Sequence, residues 1–311
     1  MVVHEEEGAK IEFVVPTTLG IYKKQIKEFW KLYSDSPFGL IGLYLVIFFV
    51  IIAVSAPFLA LYDPMASFTG DRFESMSLSH PLGTDRRGRD IFSQMVWGTQ
   101  ISLLIGIAAA FISVVIGTLF GVLAGYFGGW LDAILMRITD FFIQIPTLPL
   151  ILVVLLLFRD LVWDVAGAGT MLLILVIGLL GWTGTARMVR SEILSLKERP
   201  FIEATKAIGA KDQHIIASHL LPNVFPLIFA NAILTIVDSI IAEAGISFLG
   251  FGGDLWSWGK VLYEARVDSA VLTGAWWHFV PPGICIMLLA LGFALISYSL
   301  NEVVNPRLRE R

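Results

Sequence analysis

Long runs of apolar residues without a charged side chain dominate the chain and predict helices that cross a membrane. A helix needs about 20 apolar residues to span about 30 Å of hydrocarbon, and Phe38–Tyr62 meets this requirement without a charge. The 41 uncharged residues from Ile91 to Leu131 are too many for one span, so the turn-forming sequence GYFGG at 125–129 divides them. The pattern predicts six membrane helices: Phe38–Tyr62, Thr99–Gly125, Asp132–Phe158, Val165–Ala186, Asn223–Gly245 and Val280–Leu300.

Two features inside these runs predict how the helices pack and bend. Glycines recur at every fourth position on one face of the second helix, at Gly117, Gly121 and Gly125. In lipid, small residues at this spacing let helix backbones approach closely. Pro146 and Pro149 lie within the third helix, and their missing N–H groups predict a kink there. Near its start, Arg137 and Asp140 are three residues apart, a spacing that allows them to pair on the helix surface.

Polar segments separate the helices and divide between the two faces of the membrane. Those predicted on the cytoplasmic face are residues 1–37, 187–222 and 305–311, and those on the opposite face are residues 63–98 and 246–277. Residues 21–33 have the pattern of an amphipathic helix lying in the headgroup region, and residues 99–304 form the core that follows the first helix and outer segment. Lys and Arg favour the first set of segments by roughly two to one, as basic residues favour the cytoplasmic side. Both termini are therefore expected in the cytoplasm.

The segment Arg187–Pro222 is the most polar stretch between two apolar runs. It contains six of the chain's 22 Lys and Arg residues and is rich in helix formers. Such a segment is not stable in hydrocarbon, because every unsatisfied polar group there carries a large free-energy penalty. We therefore expect a loop at the cytoplasmic face that docks a cytoplasmic partner.

Composition supports the membrane assignment and excludes several function classes. Hydrophobic residues make up 56% of the chain and charged residues 15%, against about 25% charged residues in soluble proteins. The net charge of −4, with dispersed basic residues, does not favour nucleic-acid binding. The single cysteine, Cys285, excludes disulfides within the chain and cysteine-based metal sites.

The sequence lacks the motifs that would make the chain an enzyme. The nearest approach to a phosphate-binding loop, Gly253 to Lys260, is followed by Val261 where a hydroxyl group should bind Mg²⁺. There is no His-Glu-x-x-His or Gly-x-Ser-x-Gly motif, and the five histidines are not spaced for a metal. We therefore predict no catalytic residue, no metal site and no cofactor bound by this chain.

Two acidic residues lie within the predicted fifth helix, where a charge is costly unless it faces water or a partner. In one interpretation, Asp238 and Glu243 line a polar path for a substrate. In the other, Glu243 simply marks the outer end of the helix near the interface, and for Glu243 this second interpretation is favoured. For Asp238 the two interpretations stay open.

The polar loop contains Glu203-Ala204-Thr205, then Gly209, and later Leu221-Pro222. This arrangement resembles the EAA loop of ABC-importer permeases, whose short helices insert into a cleft on the ATP-binding subunit. Small residues allow close approach, Gly209 permits a turn between helices, and Glu203 offers a carboxylate. The resemblance assigns coupling to Glu203, Ala204, Thr205, Ala207, Gly209, Ala210, Leu221 and Pro222. The chain departs from the pattern at Thr205, where Ala is usual, and at His219, where Ile is usual.

Further segments resemble the six-span C-type permease of the dipeptide/oligopeptide/nickel branch of that family. They are HPLGTDRRGRDIFSQMVWGTQISL (80–103), GWTGTARMVRSEILSLKERPFIEATKAIGA (181–210), ISFLGFG (246–252), WG (258–259) and NPRLR (305–309). The resemblance implies the type I ABC importer permease fold in the plasma membrane of a prokaryote. It also implies a second homologous permease, two ATP-binding subunits that hold ATP and Mg²⁺, and an extracytoplasmic solute-binding protein.

The cargo stays open at this stage. Dipeptides or oligopeptides are usual in this branch, but GDLWSWG (253–259) replaces a longer proline-rich outer loop. Tryptophans cluster near this loop at Trp256, Trp258, Trp276 and Trp277. Because aromatic rings stack on sugars, a short oligosaccharide is an alternative cargo, and nickel is another; anchoring at headgroup depth is the simpler explanation of the tryptophans. An ion-gradient-driven secondary transporter is the alternative from another class, although the two repeated halves typical of it are not evident.

Overall fold

The computed structural model describes residue 27, residues 30–162 and residues 165–304, and this part of the chain consists of helices and connecting loops. The helices are α1 (Pro37–Val54), α2 (Ala56–Leu59), α3 (Ile91–Phe127), α4 (Gly129–Gln144), α5 (Thr147–Val162), α6 (Ala168–Leu180), α7 (Thr183–Lys197), α8 (Pro200–Ala207), α9 (Asp212–Ile215), α10 (Leu221–Ile246), α11 (Trp258–Val267) and α12 (Val280–Val304). The π-helical turns Ile216–Leu220 and Ser247–Phe251 flank α10, and the 3₁₀ turn Trp276–His278 precedes α12. Most of the predicted interfacial helix at 21–33 and the whole tail 305–311 lie outside the described residues.

The predicted all-α polytopic architecture is confirmed. Five helical stretches are long and apolar enough to cross a membrane: Pro37–Val54, Ile91–Phe127, Ala168–Lys197, Asp212–Phe251 and Trp276–Val303. A sixth span is present if the bent pair Gly129–Gln144 and Thr147–Asp160 is taken as one. By length and composition, the described residues therefore hold five or six spans.

The third predicted helix is broken rather than kinked. Its two parts, α4 and α5, are bent by 90° relative to each other. Ile145 is extended, with φ −83° and ψ 127°, because the residue before a proline avoids the helical conformation, and Pro146 has no N–H to continue the ladder. The predicted Arg137–Asp140 pair is wrong, because the Asp140 carboxylate instead accepts a hydrogen bond from Arg187 at 2.6 Å.

Helix α3 packs against most of the other long helices of the bundle. Its 37 residues extend over about 56 Å at 1.5 Å per residue. It begins at Ile91 rather than at the predicted Thr99, because the Asp90 carboxylate caps it by accepting the Ser93 N–H at 2.7 Å. The outer segment predicted at 63–98 therefore ends at Asp90. The first predicted helix also differs, since α1 ends at Val54 and the short α2 follows it.

The glycine face of α3 packs directly against α7, as the sequence predicts. A Cβ atom placed on Gly117, Gly121 or Gly125 would lie 2.6, 2.6 or 2.8 Å from the Cβ of Thr185, Val189 or Ile193, respectively. These distances are shorter than real carbon contacts, so only glycine allows the two backbones to come this close. Each glycine of α3 faces one residue of α7, because the contacting residues recur at every fourth position in both helices.

Glu243 does not mark the outer end of a helix, because α10 continues to Ile246 and the Glu243 side chain is 0% exposed. The Ser247 hydroxyl donates to Glu243 Oε1 at 2.6 Å, and the Ser102 hydroxyl of α3 donates weakly to Oε2 at 3.5 Å. The interpretation favoured from sequence is therefore wrong. Hydroxyl groups inside the bundle satisfy this carboxyl group, as buried polar groups require.

The loop at 253–259, which the sequence predicts at the outer face, is fixed by capping. Asp254 accepts hydrogen bonds from the Gly167 N–H and from the Thr170 N–H at 3.0 Å, so it caps α6 from a distant part of the chain. Burial favours the protonated form of Asp254, but these hydrogen bonds outweigh it and lower its pKa. Ser257 caps α11 by accepting the Lys260 N–H at 3.2 Å.

The tryptophan cluster belongs mainly to the protein core. Trp258 is fully buried and its indole N–H donates to the Met95 carbonyl at 3.1 Å. Trp256 is also buried, with the Arg89 guanidinium 4.9 Å from its ring centroid. Trp276 is 50% exposed, and Trp277 is half-buried. The buried pair explains the GDLWSWG sequence by packing and leaves little exposed aromatic surface for stacking on a sugar.

We expect the substitution Gly121→Ala to destabilise the protein by about 1–3 kcal/mol, as overpacking typically does. The added methyl group would lie 2.7 Å from the Ala186 carbonyl oxygen, which belongs to the backbone of α7 and cannot move independently. Thermal unfolding of the purified complex in detergent measures the effect. The matched control is Gly283→Ala on α12, where a Cβ meets nothing within 4 Å. Equal unfolding temperatures for the two variants would contradict the close α3–α7 packing.

Candidate coupling surface

The polar segment at 187–222 begins as a helix of the bundle rather than as a loop. Its first part, up to Lys197, lies in α7 and continues the stretch Ala168–Lys197. Arg190 binds Asp132 of α4 through two hydrogen bonds, at 2.5 and 2.6 Å. This bidentate geometry matches a guanidinium to a carboxylate and fixes their orientation. The chain leaves this helix after Lys197, and the next helix, α8, starts at Pro200. The prediction of a loop from Arg187 is corrected to this extent.

Helix α8 ends in a turn at Gly209, as the sequence predicts. Gly209 has φ +83°, a conformation that glycine adopts without steric strain. The Ala210 N–H donates to the Thr205 carbonyl at 3.3 Å, and the Gly209 N–H donates to the Lys206 carbonyl at 2.9 Å. These two hydrogen bonds form a Schellman motif, which ends a helix and reverses the chain.

One side of this helical pair is buried against the bundle. Ile202 of α8, Ile215 of α9 and Leu220 of the π turn are each 0% exposed. They form one apolar cluster with Val189 and Ile193 of α7. The same α7 residues contact the glycine face of α3, so the segment Pro200–Leu220 is fastened to the helices that make the bundle. We call the exposed side of Pro200–Pro222 the coupling surface.

The residues predicted to couple lie on or at the edge of this surface. Those exposed are Glu203, Ala204, Ala207, Gly209 and Pro222, and those partly buried are Thr205, Ala210 and Leu221. The Thr205 hydroxyl donates to the Phe201 carbonyl at 2.7 Å, so the departure from Ala at this position is accommodated within α8. At the other unusual position, the His219 ring packs against Phe201 and His214, with centroids 6.4 and 5.6 Å away.

Two apolar side chains that the sequence analysis did not single out project from the coupling surface. Ile208 is 85% exposed and Phe201 is 44% exposed. Both lie on a polar segment beyond the apolar part of α7, so lipid does not explain their exposure. Exposed apolar residues rimmed by polar ones mark contact sites for other proteins. In the sequence, only their position next to the EAA-like motif indicates that these two residues contact another protein; their residue type does not.

Polar contacts fasten the coupling surface to the end of α3. The Tyr126 hydroxyl donates to Asp212 of α9 at 2.5 Å, and the Lys197 ammonium donates to the Tyr126 carbonyl at 2.6 Å. The Lys206 ammonium lies 5.3 Å from the Tyr126 ring centroid, a cation–π arrangement. Sequence reasoning treated Tyr126 only as part of a turn, so its anchoring role was missed.

A half-open cavity of about 170 Å³ lies between α3, α5, α6, α7 and α10. Its polar lining comprises Ser113, Thr147, Thr185, Asn231, Thr235, Asp238 and Ser239. Asn231 donates to the Thr185 hydroxyl at 2.9 Å, while Asp238 is exposed. Asp238 therefore lines a cavity, which fits the interpretation that it lies on a substrate path. Glu243 is buried and is not part of the cavity lining.

Comparison with protein families places these features in a known group. Residues 117–310 match the family described as "Binding-protein-dependent transport system inner membrane component". Residues 24–81 match the "N-terminal TM domain of oligopeptide transport permease C". Together the two matches cover most of the chain and confirm the resemblance drawn from sequence motifs.

Individual relatives agree with this assignment, and a solved structure has a similar fold. The chain is 32% identical over 285 residues to the dipeptide transport system permease protein DppC of Bacillus subtilis, covering 91% of this chain and 86% of that protein. It is 34% identical over 286 residues to the glutathione transport system permease protein GsiD of Pectobacterium atrosepticum, covering 91% of each. The fold is similar to a chain of the inward-facing MetNI methionine ABC transporter, with a TM-score of 0.50 and 24% identity over 67% of this chain and 96% of that chain. The chain therefore belongs to the binding-protein-dependent ABC importer permeases of the peptide/nickel family, and it is a multi-pass protein of the plasma membrane.

Proposed function

We propose that this chain is one of two homologous permeases in an ATP-driven importer that takes up dipeptides or oligopeptides. Two ATP-binding subunits on separate chains hold ATP and Mg²⁺ and carry out hydrolysis, and an extracytoplasmic solute-binding protein delivers the cargo. Both termini of the permease and its coupling surface face the cytoplasm. Support comes from the family membership and from relatives that are named as dipeptide and glutathione permeases.

The observation that carries the proposal is the pair of exposed apolar residues, Ile208 and Phe201, on a helical segment that is fastened to the bundle. An ATP-binding subunit gains contact area from these side chains at the point where Glu203 presents a carboxylate. Because α8 and α9 pack on α7, and α7 packs on α3, movement of that subunit is transmitted to membrane helices. Such a rigid-body shift opens the central path alternately to the two faces of the membrane.

The cargo assignment rests on the polar cavity and its acidic residue. Asp238 is exposed and lies within seven residues of Asn231 on the same helix, so amide, hydroxyl and carboxylate groups face one space. A carboxylate in the membrane is costly unless a cation or water faces it. The ammonium group at the start of a peptide supplies such a cation. The second permease is expected to complete the other half of this path.

We expect Ile208→Glu and Glu203→Lys each to reduce the cargo-stimulated ATPase activity of the reconstituted importer by at least about tenfold, the effect of losing roughly 1.4 kcal/mol of docking energy. Ile208→Glu places a negative charge in an apolar contact, and Glu203→Lys replaces a negative charge by a positive one. The control is Leu272→Glu, which changes an equally exposed apolar residue after α11, at 87% exposure. Normal coupling in both test variants would show that the coupling surface does not dock the ATPase. ATP-independent uptake would instead support a secondary transporter.

The orientation of the chain is tested by cysteine labelling in a Cys285→Ala background, since Cys285 is the chain's single native cysteine. We expect Leu272→Cys to react with a membrane-impermeant maleimide added to intact cells. Ile208→Cys should react only after the cells are permeabilised. Both sites are well exposed on this chain, and the cells used lack the ATP-binding subunits, so access depends on the side of the membrane rather than on docking at Ile208. The opposite pattern of labelling would invert the proposed topology.

We expect Asp238→Asn to lower the rate of dipeptide uptake by roughly tenfold or more, because a hydrogen bond to a charged group contributes about 1.5–3 kcal/mol. Asp238→Glu keeps the charge and should retain most of the uptake. The measurement is transport of a radiolabelled dipeptide into proteoliposomes that hold the whole complex. Equal rates for the Asn and Glu variants would exclude a role for this charge in peptide passage.

A further inference from the structure

A buried cluster of charged residues lies at the end of α3 opposite the coupling surface. The Arg89 Nε donates to Asp85 Oδ2 at 2.5 Å, and the Arg89 Nη2 donates to Glu264 Oε2 at 3.0 Å. Asp268 is 6% exposed and accepts a long hydrogen bond from the Arg86 N–H at 3.4 Å. Three carboxylates thus face one guanidinium group. Buried charges are costly unless they are balanced. With the Lys260 ammonium, which lies 5.2 Å from the Trp256 ring centroid and interacts with Glu264, the cluster carries an excess negative charge of about one when all its members are ionised.

Buried polar atoms without a hydrogen-bond partner concentrate around the same cluster. Among the described residues, such atoms are Gln94 Oε1, Thr118 Oγ1, Trp256 Nε1 and both ring nitrogens of His278. Gln94 donates to Asp85 Oδ2 at 3.2 Å, and the Trp256 ring lies against Arg89. Native proteins leave few buried polar atoms unsatisfied. Except for Thr118 Oγ1, which lies farther along α3, these atoms belong to residues in or beside the cluster, and they indicate a ligand at this place.

His278 identifies the class of ligand. Its side chain is 0% exposed and both ring nitrogens lack a protein partner. A ring nitrogen of His278 and carboxylate oxygens of Asp85 and Asp268 all lie within 4.8 Å of one another. We propose that Asp85, Asp268 and His278 bind a divalent first-row transition metal ion. One neutral imidazole and two carboxylates suit Zn²⁺ or Mn²⁺, and the two positive charges offset the excess negative charge of the cluster.

The ligand atoms of Asp85, Asp268 and His278 would have to move only slightly closer together to bind such an ion. Two ligands of a tetrahedral Zn²⁺ with bonds of about 2.1 Å lie about 3.4 Å apart, and the three groups here are within 4.8 Å. The Asp85 carboxylate is already oriented, because its Oδ1 accepts the Arg87 and Arg89 N–H groups at 2.7 and 3.0 Å. Such hydrogen bonds orient metal ligands. The longer contact from Gln94 to Oδ2 is the one that the ion replaces.

The ion joins three segments that are distant in sequence. Asp85 belongs to the loop before α3, Asp268 follows α11, and His278 lies in the 3₁₀ turn before α12. This separation explains why residue spacing alone predicts no metal site. The metal has a structural role, since it fastens the loops over the face of the bundle opposite the coupling surface. It is independent of the proposed cargo.

The test uses the whole importer complex, purified without a histidine tag and dialysed first against EDTA and then against metal-free buffer. ZnCl₂ or MnCl₂ is added, excess ion is removed by gel filtration, and bound metal is measured by inductively coupled plasma mass spectrometry. Thermal unfolding is followed in parallel by tryptophan fluorescence. We expect about one ion per copy of this chain and a higher unfolding temperature with the ion than after EDTA, because a ligand that binds the native state stabilises it.

The variants His278→Gln and Asp268→Asn are expected to lose this ion and the rise in unfolding temperature, with an apparent Kd at least about 100-fold weaker. The control replaces two histidines that lie close together away from the site, His214→Gln with His219→Gln, whose ring centroids are 5.6 Å apart on the opposite face. This control should keep the ion. If the wild-type complex neither retains Zn²⁺ or Mn²⁺ nor gains stability from them, water alone serves these polar atoms and the proposal is wrong. Loss of the ion from the control, with retention in the His278 variant, would contradict it equally.

Discussion

The direct contact between the glycine face of α3 and α7 is the constraint on which the rest of the structure depends. In a membrane, apolar side chains gain little by leaving lipid for protein, so helices associate through close backbone packing and polar contacts. Gly117, Gly121 and Gly125 provide that packing, and the Arg190–Asp132 pair adds a polar contact beside it. Helix α7 is consequently held as a rigid extension of the bundle. The segment Pro200–Leu220 takes its position from α7 and from the end of α3.

Each end of α3 organises one face of the protein. At its start, the Asp90 cap and the Asp85–Arg89 pair hold the loops that cover the bundle. At its end, the Tyr126 hydroxyl donates a hydrogen bond to Asp212 of α9, and the Tyr126 carbonyl accepts one from Lys197. Between the two ends, buried polar groups such as Glu243 are satisfied by nearby hydroxyl groups. One long helix thus connects the coupling surface to the opposite face, which is what transmission of movement across a membrane requires.

Local chemistry made part of this structure predictable from sequence. The turn at Gly209 follows from the need for positive φ, the close packing of α3 follows from the spacing of its glycines, and the break at Pro146 follows from its missing N–H. In each case the cause lies within a few residues of the effect. Motif spacing also identified the family, although the coupling roles of Glu203 and its neighbours stay a prediction.

Features that depend on distant residues were not predictable. The sequence alone does not predict that the polar segment of α7 is a packed helix, because its partners, Asp132 and Asp140, lie in a different helix. Glu243 was assigned to an interface because the hydroxyl group of Ser102, 141 positions away, could not be placed beside it. The start of α3 was missed because Asp90 was counted with a charged loop instead of as a cap. The cluster at Asp85, Asp268 and His278 needs three segments to meet and has no local signal.

We propose that a separate ATP-binding subunit binds the permease at the segment Pro200–Leu220. The most direct measurement replaces Ile208 with a photoreactive phenylalanine analogue in the assembled importer and identifies what is captured on illumination. We expect cross-links to the ATP-binding subunit, whose yield changes when ATP is added, and none to that subunit from the same analogue at Leu272. Cross-links from Ile208 only to lipid, or to an extracytoplasmic protein, would contradict the account.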